Sequence, residues 1–492
     1  MKDADGRMIQ KMGIPSLVLM ERAALQCVNA IKEEKNEISS ALVVCGSGNN
    51  GGDGFAIARM LHEEQIPVDV VFVGRMESRS EETKTQMQIL ENLGLTVTNV
   101  LPDKEYSVII DAVFGIGLCR KIEGKYKEVI ERMNLYQGYK VAVDIASGIS
   151  ADTGEVLGCA FKANLTVTFA YAKAGQLFHP GYEYTGKLEV RPIGIWNPEF
   201  DTEKDIYYML EPADLKTYMP KRIANSNKGT YGKVLVIAGS KGMSGAAYLA
   251  AKAAYITGAG LVRIYTEESN RQILQQLLPE AILTTYQAEE EEPLSELENV
   301  MEWADVVCIG CGLGMSTLSA RLLKTFLEKN QKPCVLDADG LNILSKEPEY
   351  LKYLDEKYIL TPHMKEMSRL TGRSVQELKE KRTEILKDFV RQYQVNVALK
   401  DSRTLVAGPN FPVFFNTSGN AAMAKAGSGD VLAGVITGIL AQGTYANAAG
   451  VIGVFLHGMG GDDARVEHGK YSVLAQDIIT GVGNVLKRIE EL

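Results

Sequence analysis

Two glycine-dense stretches carry carboxylates where a strand would hand over to a helix. The first is Gly46-Ser47-Gly48-Asn49-Asn50-Gly51-Gly52-Asp53-Gly54, behind the apolar run Ala41-Leu42-Val43-Val44-Cys45. So many glycines let the backbone come close to a ligand or an ion. Formally the loop contains Gly-x-Gly-x-x-Gly, a dinucleotide-binding pattern. Two features argue against that reading. The Asp53 carboxylate sits at the expected helix entrance, where it competes with a pyrophosphate for the same N–H groups. The end of the second strand, Phe72-Val73-Gly74-Arg75, also lacks an acid to hold a ribose. Asp111 and Asp144 repeat the pattern at two further strand ends, before Val113-Phe114-Gly115-Ile116-Gly117-Leu118 and Ile145-Ala146-Ser147-Gly148. In open α/β sheets the ligand crevice lies at those carboxyl ends. Asn50, Asp111, Asp144 and Ser147 supply hard oxygens, suited to an alkali or alkaline-earth cation or to sugar hydroxyls. A lone strand-end acid often only caps the next helix, but three such loops point to one shared site.

The second stretch is Gly427-Ser428-Gly429-Asp430, opening a helical run. Helix-start N–H groups there cradle phosphate, and Asp430 sets a carboxylate beside it. An anion hole next to a base is what phosphoryl transfer to a hydroxyl requires. Gly239-Ser240-Lys241-Gly242, Gly310-Cys311-Gly312-Leu313-Gly314, Asp337-Ala338-Asp339-Gly340, Thr361-Pro362-His363 and Lys400-Asp401-Ser402-Arg403-Thr404 follow other strand candidates. The first of these is not a Walker loop, because no Gly-Lys-Ser/Thr stands at the needed spacing. Cys308-Ile309-Gly310-Cys311 has redox or zinc spacing, but no second pair accompanies it, so it reads as buried strand-end cysteines.

These residues need parallel strands alternating with helices. The strand candidates are Ala41–Cys45, Val68–Val73, Ser107–Asp111, Lys140–Asp144 and Asn164–Phe169 in the first half. In the second they are Lys233–Ala238, Leu261–Tyr265, Val306–Gly310, Pro333–Asp337, Tyr358–Thr361 and Val395–Lys400. A polar, proline-broken stretch from Trp196 to Gly232 separates the halves, and the seam is expected near residue 212, giving domains 1–211 and 212–492. The 492 residues call for more than one core. The formal charge of −9, with no basic stripe, speaks against nucleic acid. The polar, acidic start and the lack of long apolar runs speak against a signal peptide or membrane span, so a cytoplasmic enzyme is expected.

With Gly13-Ile14-Pro15-Ser16-Leu17-Val18-Leu19-Met20-Glu21-Arg22-Ala23 ahead of the Asn-Asn-Gly-Gly-Asp-Gly-Phe loop, roughly the first 205 residues resemble the NAD(P)H-hydrate epimerases. That resemblance implies a Rossmann-like domain with a mostly parallel sheet, which interconverts the R and S hydrates of NADH and NADPH (NADHX and NADPHX). It implies K⁺ held by Asn50, Asp111 and Ser147. It implies substrate contacts at Asn49, Asn50, Gly51, Gly52 and Asp53, at Gly115, Ile116, Gly117, Leu118, Cys119, Arg120 and Lys121, and at Asp144. Inversion needs the C6–O bond beside the ring nitrogen to break and reform, and Asp144 is the candidate acid/base. Ala146 stands where that family usually has proline.

The second half resembles the ribokinase-like superfamily and, within it, the ADP- or ATP-dependent NAD(P)H-hydrate dehydratases. The resemblance implies Asp430 as catalytic base. It implies adenine-nucleotide contacts at Lys400, Asp401, Ser402, Arg403, Thr404 and Gly429, and hydrate contacts at Ala247, Gly314 and His363. Mg²⁺ would bridge the phosphates. Together the halves imply a bifunctional repair enzyme in which ADP is spent on the S hydrate, giving AMP and phosphate, with ATP as the other candidate. Its expected partners are these small molecules, and a homo-oligomer is expected. Two alternatives remain open on the residues alone: a vitamin-type kinase fused to a binding domain, and a nucleotide-binding scaffold without turnover.

Overall fold

A computed structural model describes residues 2–195, 206–288 and 294–491. The chain folds as two compact units, Met1–Glu203 and Lys204–Leu492. The first is built on seven strands: β1 Ala41–Cys45, β2 Val68–Phe72, β3 Val97–Thr98, β4 Val108–Ala112, β5 Tyr139–Val143, β6 Leu165–Phe169 and β7 Lys187–Arg191. Their spatial order is β3-β2-β1-β4-β5-β6-β7, every pair parallel. β1, β4 and β6 are buried along their whole length, as central strands of a parallel sheet are when helices cover both faces. The chain winds outward through β2 and β3, then returns to lay β4 against β1. That reversal opens a crevice above their carboxyl ends.

The second unit carries a ten-stranded sheet: β8 Tyr207–Tyr208, β9 Lys233–Ile237, β10 Leu261–Glu267, β11 Ile282–Tyr286, β12 Val306–Ile309, β13 Cys334–Leu336, β14 Tyr358–Leu360, β15 Asn396–Leu399, β16 Leu405–Gly408 and β17 Phe411–Phe415. The order is β11-β10-β9-β12-β13-β14-β15-β16-β17-β8. Pairing is parallel from β11 to β15 and antiparallel across β15, β16 and β17. Here the winding reverses between β9 and β12. The alanine-rich helix Ser244–Thr257 lies against the helix Ser428–Ala441, and Gly434 sits so close to the Ala250 carbonyl that any side chain there would collide with it.

Every strand expected from sequence forms, with ends shifted by one or two residues. Six unexpected ones (β3, β7, β8, β11, β16 and β17) are short, lie toward sheet edges or carry charges. β7, Lys187-Leu188-Glu189-Val190-Arg191, is an edge strand whose charges pair across its surface, so it lacks an apolar run. The stretch expected to link the halves is partly structured. Residues 196–205 of it lie outside the described residues, but Tyr207–Tyr208 pair with Val413–Phe414, upstream of the expected seam. No helix among the described residues is long and apolar enough to cross a membrane.

Candidate active sites

In the first unit the helix whose entrance is expected at Asp53 begins at Asn49, with Gly48 as its N-cap, so Asp53 lies about a turn inside it. The Asn-Asn-Gly-Gly-Asp segment therefore forms its opening turn and a half. Gly51 is required for packing, because a Cβ there would strike the Gly46 carbonyl oxygen. Gly52 faces Met20, and both glycines are buried beneath the crevice. Above them lies a cavity of about 590 Å³. Its walls include Asn49, Asn50, Asp53, Asp144 and the run Gly115 to Arg120, while Gly51, Gly52 and Lys121 are outside this lining. Sequence reasoning missed Asp5, which enters the same cavity from the helix Lys2–Gln10.

Asp111 is fully buried at the end of β4. Its Oδ2 accepts the Ser147 amide at 2.7 Å, and its Oδ1 accepts the Ser147 hydroxyl at 2.7 Å and the Val113 amide at 3.2 Å. Burial pushes its pKa up to about 6 against those hydrogen bonds. Ser147 Oγ also accepts the Phe114 amide at 2.8 Å. Asn50 is buried against Gly115, and among the described residues neither its amide oxygen nor its amide nitrogen has a partner. An orphaned carboxamide beside a buried carboxylate and a serine is a donor set that fits a large monovalent cation.

Asp144 follows β5 in a left-handed conformation, φ 65°, strain that a non-glycine residue pays to aim its carboxylate. Its Oδ1 accepts Lys173 Nζ, Thr168 Oγ1 at 3.1 Å and the Phe169 amide at 3.4 Å. The Lys173 ammonium, buried, also bonds Thr168 Oγ1 and the Phe169 carbonyl. Those bonds all fall on Oδ1, so among the described residues Oδ2 is left open. Lys173 was missed by sequence reasoning; the only hint was a lone lysine in the loop after β6, two residues before Gly175. Burial, with Asp144 and Asp5 close by, holds the Asp53 carboxyl well above the usual range despite Lys173.

In the second unit the reversal point is laced together: Gly239 N–H donates to the Cys311 carbonyl, and Ser240 N–H to that of Gly312. Gly314 N–H donates to Asp339 Oδ2 at 2.8 Å, beside Ser240. Ala247 is fully buried beneath Gly239. Cys308 and Cys311 are buried as free thiols. From the ends of β13 and β15, Asp337 and Lys400 meet in an ion pair of 2.7 Å. Burial pulls the Lys400 ammonium down, but Asp337 and Glu366 outweigh it and its pKa is raised.

Gly427, φ 90°, turns the chain into the helix Ser428–Ala441. A side chain at Gly429 would stand 3.4 Å from Lys400 Nζ, so the bare glycine leaves a cradle between helix start and ammonium. Asp430 lies in that first turn, and burial and Asp337 push it up to about 6. His363 caps the helix Met364–Thr371, its Nδ1 accepting the Lys365 and Glu366 amides. Asp401 and Ser402 are exposed at the hairpin tip, Asp401 pairing with Arg382, while Arg403 donates to the Thr417 carbonyl. Thr404 is buried at the start of β16.

Sequence reasoning also missed the helix Ala446–Ser472, which props the loop at both ends. Asp462 accepts Gly419 N–H and Asn420 Nδ2, and His457 Nε2 stands 3.5 Å from Ser428 Oγ. Burial lowers the His457 pKa to about 4, so this ring is neutral at pH 7.

A parallel sheet with a carboxylate-lined cavity, followed in the chain by a mostly parallel sheet with a glycine turn beside Asp430 and Lys400, defines a two-unit α/β enzyme. Residues 16–175 match the family model described as YjeF-related protein N-terminus, and residues 234–483 match that of NAD(P)H-hydrate dehydratase. The bifunctional NAD(P)H-hydrate repair enzyme of Moorella thermoacetica is 36% identical over 97% of this chain and 94% of its own. That of Escherichia coli is 31% identical over 96% of this chain and 90% of its own. The second unit also resembles a ribokinase-like superfamily protein of Enterococcus faecalis, at 30% identity and TM-score 0.51, covering 58% of this chain and 99% of that one. The chain belongs to the bifunctional NAD(P)H-hydrate repair enzymes.

Proposed function

We propose that the first unit interconverts the R and S hydrates of NADH and NADPH at Asp144. The second unit returns the S hydrate to the coenzyme at the expense of ADP, releasing AMP and phosphate. The observation that carries this reading is one chain holding two carboxylate-centred sites, each at the carboxyl edge of its own sheet where the winding reverses. In the second unit Asp430 takes the proton of the C6 hydroxyl, whose oxygen attacks the terminal phosphorus of ADP. Helix-start amides from Gly427 to Gly429 and the Lys400 ammonium hold the phosphates. Elimination of the phosphate, with a proton from the neighbouring ring carbon, restores the dihydropyridine. Mg²⁺, when bound, neutralises charge on the phosphates. Asp401, Ser402, Arg403 and Thr404 form the hairpin at the nucleotide's base, and Ala247, Gly314 and His363 border the hydrate.

In the first unit Asn50, Asp111 and Ser147 hold K⁺, which ties the loops after β1, β4 and β5 together when bound. Asn49, Asp53 and the Gly115–Arg120 run line the substrate cavity. The test is NADH recovery at 340 nm from a mixture of R and S hydrate with ADP and Mg²⁺, repeated with ATP. Full recovery, faster than spontaneous epimerisation, is expected. A halt at the S fraction removes the epimerase reading. A stable phosphorylated product without NADH replaces repair with a kinase.

A further inference from the structure

Besides Glu82, three carboxylates line one cavity in the first unit: Asp5 from the N-terminal helix, Asp53 from the helix after β1, and Asp144 from the end of β5. One buried ammonium, Lys173, is bonded among them, and its contact is to Asp144. Among the described residues Asp53 has no such partner. The other titratable groups facing it are the buried thiols of Cys27 and Cys45, neither of which offers positive charge. Glu82 and Arg120 complete the charged lining of the cavity. Closely spaced carboxyls with one cation share a proton, because they cannot all ionise in a poorly hydrated space. Asp144 already has its cation, so the shared proton falls to the other two, whose carboxyls burial pushes up, and Asp53 is pushed further than Asp5.

We propose that Asp53 is the proton donor that expels the C6 hydroxyl as water during epimerisation, with Asp144 taking a proton when water returns on the opposite face. This rests on the reading of the first unit as the epimerase. In the first step the Asp53 proton goes to the C6 oxygen, the C6–O bond breaks, and the ring-nitrogen lone pair forms a C6–N double bond. The resulting cation lies among Asp5, ionised Asp53 and Asp144, which stabilise it as preorganised negative charge. Water then adds to C6 from the other face, and its proton passes to Asp144 Oδ2, the oxygen that Lys173 leaves open. The reverse inversion runs the two carboxyls in exchanged roles. Asp5 is a positioning residue: after burial and Asp144, its carboxylate adds to the push that keeps the proton on Asp53.

The test uses the full chain with ADP and Mg²⁺. The S hydrate is consumed first, and the slower phase at 340 nm reads inversion of the R hydrate. Asp53→Asn is expected to lose about 10²- to 10⁴-fold in the slow phase, while binding of the hydrate is retained. In the wild type the slow phase falls at high pH as Asp53 loses its proton. Asp5→Asn removes a negative neighbour, so that fall moves to lower pH. Inversion in ¹⁸O-water brings in one solvent oxygen. A wild-type slow phase in Asp53→Asn, an unmoved basic limb in Asp5→Asn, or retention of the original oxygen each overturns the proposal. If Asp53→Asn does not fold, the Asp5→Asn profile and the isotope decide. Absence of any slow phase in the wild type instead removes the epimerase reading itself.

Discussion

At the scale of single residues, the reacting groups are set by burial and by which partner reaches them. Asp430 is a base only when ionised, and burial places its pKa at about 6. Its active form is therefore gained as pH rises, so dehydration of the S hydrate should climb through about pH 6 in kcat/KM. Asp430→Asn should flatten that profile and lower the rate by about 10²- to 10⁴-fold. Asn50 makes a second prediction. If its orphaned carboxamide binds K⁺, exchanging Na⁺ for K⁺ raises the melting temperature of the first unit, and Asn50→Ala abolishes that difference. An equal shift in both proteins sinks the ion site. Asp111 and Asp144 were legible in sequence because each acid ends an apolar run and precedes glycines, and Asp430 because it follows Gly427-Ser428-Gly429 at the head of an apolar helical run. Asp5, Lys173 and His457 were not. A single charged residue in a helix or loop has no periodic signature, and only folding brings it to the cavity or the cradle.

At the scale of elements, the glycine loop after β1 is partly a packing device. Gly51→Ala would drive a methyl into the Gly46 carbonyl oxygen. It should destabilise the first unit by about 1–3 kcal/mol or more and cut epimerisation with it. Gly6, in the helix Lys2–Gln10, has open space where a Cβ would go. Gly6→Ala should be neutral or stabilising by about 0.5–1 kcal/mol. Thermal denaturation of both variants separates the two cases, and equal losses would remove the packing argument. The start of the helix Asn49–Glu63 was misplaced from sequence because glycines are poor helix formers. Here close approach to β1 and β4 outweighs that preference. The edge strands were illegible for a related reason: half-exposed, short or charged, they lack the apolar runs that marked the central strands.

At the scale of the whole molecule, the proposed reactions share one hydrate, and mixing two variants tests whether it diffuses from one chain to another. Asp144→Asn should stop at the S fraction and Asp430→Asn should recover nothing. An equimolar mixture of the two variants should return to full NADH recovery, read at 340 nm. Failure of the mixture with each variant folded would mean that the activities require one intact chain. The sequence by itself determined the α/β class, the central strands, the two glycine-dense sites and their acids. All of these follow from local patterning, since a buried parallel strand must be apolar and a strand-end loop near a ligand must be small. The tertiary structure alone decided which side chains meet. The Lys173–Asp144 and Lys400–Asp337 pairs, the Asp5–Asp53–Asp144 cavity and the Asp462 and His457 props join residues far apart in the chain. Their pairing depends on strand order and on where the winding reverses, which no local pattern encodes.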